Sequence, residues 1–87
     1  FEKDGLVIIF NGEIYNYRAL REELSEKGIS FSTTSDTEVL LELYRIKGAH
    51  CLNDLDGMFA FAIFHIQTKE LFLARDPFGI KPLLYIY

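Results

Sequence analysis

Met58-Phe59-Ala60-Phe61-Ala62-Ile63-Phe64 places seven apolar side chains in a row. Its length and its aromatic and aliphatic content read as a β-strand that is apolar on both faces. A strand without a polar face is expected to be covered on both sides, by helices on one and by a second layer on the other. Downstream, the polar turn Gln67-Thr68-Lys69-Glu70 leads into Leu71-Phe72-Leu73-Ala74, so the two runs form a hairpin. Asp76-Pro77-Phe78-Gly79 is then a turn, with proline fixing φ, and a final strand begins at Pro82.

Upstream, Leu6-Val7-Ile8-Ile9-Phe10 stands between Asp4-Gly5 and Asn11-Gly12 and reads as another buried strand. The period changes at Asn16. Tyr17, Leu20 and Leu24 recur at helical spacing to Lys27, with Asn16 as the expected cap and Gly28 as the stop. Ile29 and Phe31 alternate with Ser30 and Ser32 as a short strand. Ser35-Asp36-Thr37-Glu38 has the spacing in which a serine hydroxyl and a glutamate carboxylate each satisfy a free N–H at a helix start. A second helix follows, its apolar side Val39, Leu40, Leu43, Tyr44 and Ile46 and its end Gly48. The expected order is β-α-β-α-β-β-β, an α+β chain forming part of a layered sandwich, with residues 1–87 as a single partial domain.

Eighty-seven residues allow one small domain, able to bury only about 60–65% of its unfolded surface. A hydrophobic share of 49% against 25% charged residues describes a folded core rather than a disordered chain. The net charge of -4 carries no basic cluster, which argues against nucleic acid or anionic lipid as partners. No apolar run approaches the roughly 20 residues that cross a bilayer, and no leader pattern stands at the start, so the expected compartment is the cytoplasm. The lone Cys51 agrees with a reducing environment. Phe1 in place of an initiator methionine, and a closing apolar run through Tyr87, read as a piece of a longer protein.

Neither GxGxxG nor GxxxxGK[ST] occurs, so no nucleotide-phosphate loop is expected here. Asn53-Asp54-Leu55-Asp56-Gly57 fails as a calcium loop, because aligning its glycine puts Leu52 and Ile63 at ligand positions. His50, Cys51 and His65 lack zinc spacing and an evident third ligand, and Cys51 reads as a small buried side chain. Asn11-Gly12-Glu13 has two readings. A glycine N–H and an adjacent side-chain amide suit an oxyanion, yet Asn-Gly is also the commonest tight-turn dipeptide. Asp36 is likewise either a first-turn carboxylate favoured by the helix dipole or a ligand for an ammonium group.

Four blocks in order, Phe10-Asn11-Gly12-Glu13-Ile14-Tyr15-Asn16-Tyr17, Ser35 to Leu41, Leu55 to Ala62 and Ala74 to Leu83, resemble the class II glutamine amidotransferase domain. Phe10 and the Glu-Ile-Tyr-Asn run look like the asparagine synthetase branch, where related amidotransferases carry histidine before Asn-Gly. The resemblance implies an N-terminal-nucleophile αββα sandwich. It further implies that the Asn11 side chain and the Gly12 N–H form the oxyanion hole, that Glu13 and Asp36 hold the α-ammonium of glutamine, and that the Arg75-to-Pro82 block is structural. The family's nucleophile is a processed N-terminal cysteine whose own amine is the base. Phe1 is not that residue and Cys51 is internal, so the nucleophile is absent and these 87 residues alone are expected to be inactive. His65, where aspartate is common, and Leu84 depart from the family pattern at strand ends.

No cofactor is expected in this piece. ATP and magnesium belong to a synthetase domain absent from it, where ammonia from glutamine would amidate aspartate. The expected partners are glutamine and the rest of the parent chain. The alternative reading is a non-catalytic assembly module of the same fold, and unpaired strand edges would favour a homodimer.

Overall fold

The computed structural model describes residues 1–76 and 85–86. They form β1 (Glu2–Lys3), β2 (Leu6–Ile14), α1 (Tyr17–Glu26), α2 (Asp36–Lys47), a 3₁₀ helix (Gly48–Asp54), β3 (Gly57–His65), β4 (Leu71–Arg75) and β5 (Tyr85–Ile86). The chain is α+β. It divides into two compact units, one of residues 1–13 and 58–87 and the other of residues 14–57.

The first unit is built on one five-stranded sheet in the order β1-β2-β3-β4-β5. Asp4 and Gly5, at φ 50° and 87°, make the two-residue turn between β1 and β2, the positive-φ geometry that Asp-Gly favours. The β3–β4 hairpin pairs Phe61 with Ala74 and Ile63 with Phe72 on one face, and Ala60 with Arg75 and Ala62 with Leu73 on the other. Its far end is fastened by Asp76, whose carboxylate accepts from the Phe59 N–H at 3.0 Å while its own N–H donates to the Phe59 carbonyl at 2.9 Å. The turn at 77–79 and the start of the final strand lie outside the described residues.

The two faces of β3 differ. Phe59, Phe61 and Ile63 are buried, as are Leu6, Ile8, Phe72 and Ala74, and the Phe61 ring lies 5.8 Å from Phe59 and 5.9 Å from Phe72. On the opposite face Met58 is 55% and Ile9 72% exposed. Cover on both sides was expected of this strand, but among the described residues all strands belong to one sheet and none stacks on that face.

The second unit holds α1, α2 and the 3₁₀ helix. Leu20 and Leu24 of α1 are buried as their spacing predicts. In α2 Val39, Leu40 and Leu43 are buried as expected, but so is Leu41, while Tyr44 is half-buried and Ile46 is exposed, so the buried side is shifted towards the start of the helix. Gly28, at φ 94°, ends α1. Its N–H donates to the Ser25 carbonyl and that of Ile29 to the Leu24 carbonyl, so the helix-end acceptors are engaged by the residues that follow. Ser35 caps α2 through the Glu38 N–H, and Gly48 closes it.

Three local expectations change. Asn16 precedes α1 but makes no side-chain cap there. Its amide spans the chain instead, donating to the Asp54 carbonyl at 2.7 Å and accepting from the Asp56 N–H at 3.0 Å. Glu38 makes only half of a capping box, because its carboxylate turns to Ser32 and Thr33 rather than to Ser35. For the same reason no strand forms at 29–32, since the N–H groups of Ser32 and Thr33 bond to a carboxylate in place of a neighbouring strand.

Candidate functional site

Asn11, Gly12 and Glu13 are consecutive on β2, and all three are exposed. Burial on β2 keeps the two-residue period of a strand, with Leu6, Ile8 and Ile14 buried, Phe10 half-buried, and Ile9, Asn11 and Glu13 at the outward positions. Gly12 stands at an inward position of that series without a side chain, and its φ of 123° is open to glycine. A Cβ at this position would lie 2.1 Å from the Met58 carbonyl oxygen and 2.8 Å from the Phe59 Cα, so the backbone of β3 occupies the space that a side chain would need. The Asn-Gly pair therefore does not act as a hairpin turn. It lies inside the continuous strand β2, with Asn11 and Glu13 at the outward positions on either side of Gly12.

Asn11 borders a hollow of about 350 Å³ on the open face of the sheet, with Ile9, Ala60, Ala62, Leu73 and Arg75. The hollow is shallow and apolar, with Asn11 and Arg75 as its polar side chains, on the face of β3 that no described strand covers. Asp36, the fourth residue singled out by the sequence, is the first residue of α2 in the other unit, half-buried and directly after the capping Ser35. The 3₁₀ helix and α2 are tied by an ion pair between the Lys47 ammonium and the Asp54 carboxylate, and that hydrogen bond raises the Lys47 pKa.

Cys51 lies on the 3₁₀ helix, free and fully buried. Burial, with the negative charge of Asp54 adding to it, pushes its thiol from the ordinary 9.0 up to about 12. A thiol in that state is a poor nucleophile, which agrees with its reading as a small packed side chain. Alkylation of the native protein by iodoacetamide at pH 8 should run at least about a hundredfold slower than after unfolding. The unfolded thiol ionises near 9.0 and the folded one near 12. Any stability linked to Cys51 is thus complete below pH 9 and lost as pH rises from there towards 12. A denaturation midpoint followed across that range checks the sign.

Three groups that organise these residues escaped the sequence reading. Asn16 and Asp76 are joined to partners 38 to 40 and 17 positions away respectively. Glu38, fully buried, was assigned the wrong partner within its own motif. Only Glu38 had a signal, its place in Ser-x-x-Glu, and that spacing does not tell which backbone its carboxylate will meet.

Residues 1–87 match the family model described as a glutamine amidotransferase domain. The chain is 56% identical over 85 residues to glutamine-hydrolysing asparagine synthetase 1 of Bacillus subtilis, a span of 98% of this chain and 13% of that protein. It is 47% identical over 81 residues to asparagine synthetase B of Escherichia coli, covering 93% of this chain and 14% of that one. The chain thus spans about an eighth to a seventh of these relatives. In structure it is similar to the glutamine phosphoribosylpyrophosphate amidotransferase of B. subtilis solved with ADP and GMP, with a TM-score of 0.74 and 33% identity over 91% of this chain and 19% of that one. Its α+β architecture is that of the N-terminal-nucleophile amidotransferases. With a family match along its whole length and relatives that agree at about half of their aligned positions, the chain belongs to the class II glutamine amidotransferase domains, of the kind carried by glutamine-hydrolysing asparagine synthetases.

Proposed function

We propose that the protein carrying this chain hydrolyses the side-chain amide of glutamine and passes the ammonia to an ATP-dependent amidation of aspartate. The observation that carries the reading is the close approach of the β3 backbone to Gly12 on β2, a place only glycine can occupy, with Asn11 and Glu13 exposed on either side of it. When a nucleophile adds to the amide carbon, the carbonyl oxygen gains negative charge, and the Asn11 side-chain amide and the Gly12 N–H are the donors for it. Glu13 and Asp36 are the carboxylates for the α-ammonium of glutamine, an attraction between opposite charges that neutral analogues would lack. The attacking thiol is supplied from outside these residues, since Cys51 is buried and held protonated. ATP and magnesium act in a synthetase part of the parent protein, and amide hydrolysis itself consumes only water.

The test is glutamate release from glutamine by the full-length protein, followed by asparagine formation when ATP, magnesium and aspartate are added. Glu13→Gln and Asp36→Asn should each raise the KM for glutamine about tenfold or more with a smaller change in kcat, because each removes a contact made equally in the ground state and the transition state. A full-length protein that binds glutamine but releases no glutamate would overturn the reading.

A further inference from the structure

The segment 31–35, which delivers the chain to Asp36, is fastened with unusual density. The fully buried carboxylate of Glu38 accepts from the Ser32 N–H at 2.9 Å, the Thr33 N–H at 2.7 Å, the Thr33 hydroxyl at 2.7 Å and the Ser32 hydroxyl at 3.3 Å. From the other side, the Arg21 guanidinium donates to the Thr33 carbonyl at 2.8 Å and stacks over the Phe31 ring at 4.4 Å.

The hydroxyls add a direction to this arrangement. A hydroxyl has one proton, and that of Thr33 is engaged by the Glu38 carboxylate, which can only accept. The 3.1 Å contact between Thr33 Oγ1 and Ser35 Oγ must then be donated by Ser35. Ser35 Oγ in turn accepts from the Glu38 N–H. The bonds close a ring that runs from the Glu38 N–H through the Ser35 and Thr33 hydroxyls and back to the Glu38 carboxylate. A further bond from the Ser35 N–H to Thr33 Oγ1 at 3.3 Å lies across it. In such a ring each donor polarises the next, so loss of one hydroxyl loosens the whole circuit.

An ordinary helix cap needs one acceptor for one or two N–H groups. This one also fixes Ser32 and Thr33, three and two residues before the cap, and the residue after it is Asp36. We infer that Glu38, Thr33 and Ser35 form a positioning device that holds the Asp36 carboxylate in the direction from which it meets the α-ammonium of glutamine. The inference rests on the functional reading above and extends it to residues that do not touch substrate. A carboxylate held in place beforehand loses little freedom on binding a cation, whereas one on a loose helix start must be ordered each time.

Two substrates separate positioning from plain stability: glutamine, and its analogue without the α-amino group, 4-carbamoylbutanoate. In the full-length protein, Thr33→Val removes one hydroxyl of the ring with little change of shape, Thr33→Ser restores it, and Ser35→Ala opens the ring at the next link. The ratio of kcat/KM for glutamine to that for the analogue is expected to fall about tenfold in Thr33→Val and Ser35→Ala, through the KM for glutamine, and to recover in Thr33→Ser. Should Thr33→Val fail to fold, Ser35→Ala carries the test. If both substrates lose rate in equal proportion, or the ratio does not move, the ring serves stability alone and the inference is overturned. A wild-type protein inert towards glutamine would instead sink the functional reading, a result that the first measurement distinguishes.

Discussion

Gly12→Ala should cost about 4 kcal/mol or more and leave the protein either insoluble or without a defined sheet, the largest effect expected of any single methyl group here. Two penalties combine. The backbone at φ 123° is strained for any residue with a side chain, and the added carbon would sit 2.1 Å from the Met58 carbonyl oxygen, well inside contact distance. Neither neighbouring atom belongs to a flexible side chain, so the clash can be relieved only by moving β3 away from β2. Gly5 isolates the first penalty. It too has a positive φ, 87°, but nothing lies within 4 Å of the point where its Cβ would stand. Gly5→Ala should therefore cost only about 1 kcal/mol. Thermal unfolding of the two variants in the full-length protein checks the pair; equal losses would mean that strain rather than the approach of β3 governs Gly12.

Glu38→Ala is the second large effect, about 3–5 kcal/mol, as expected when a buried carboxylate is taken from the donors arranged around it. Two backbone N–H groups and two hydroxyls lose their acceptor at once. The hydroxyls can turn elsewhere, but the N–H groups of Ser32 and Thr33 cannot without rebuilding the segment. The midpoint of the transition that includes this domain should drop by at least about 10 °C. Glu23 makes the contrast. Its 3.6 Å pair with Lys27 is more than half exposed on both sides, and Glu23→Ala should shift stability by no more than about 0.5 kcal/mol. The same residue type on two helices thus differs severalfold in effect, and the difference lies in burial and donor count.

Much of the fold could be read from short stretches. Leu20 and Leu24 at helical spacing, Gly28 and Gly48 as stops, Ser35 as a cap and the hairpin across 67–70 all depend on residues within one or two turns of each other. The Asp4-Gly5 signal was equally present, but the two-residue β1 before it is too short to show a period. Asn11-Gly12 was ambiguous for a physical reason. A positive φ serves a tight turn and a close approach between strands alike, and the choice between them depends on Met58 and Phe59, more than forty residues along the chain.

By itself the sequence determined both α-helices and the longer strands, most of their ends, the α+β class and the amidotransferase resemblance, because each depends on residue order and near-neighbour chemistry. Tertiary structure alone decided that Asn16 spans to Asp54 and Asp56, that Glu38 takes its donors from Ser32 and Thr33, and that only one side of β3 is buried. Side-chain polar groups take whichever partners the closed chain brings within about 3 Å, and periodicity carries no record of that distance.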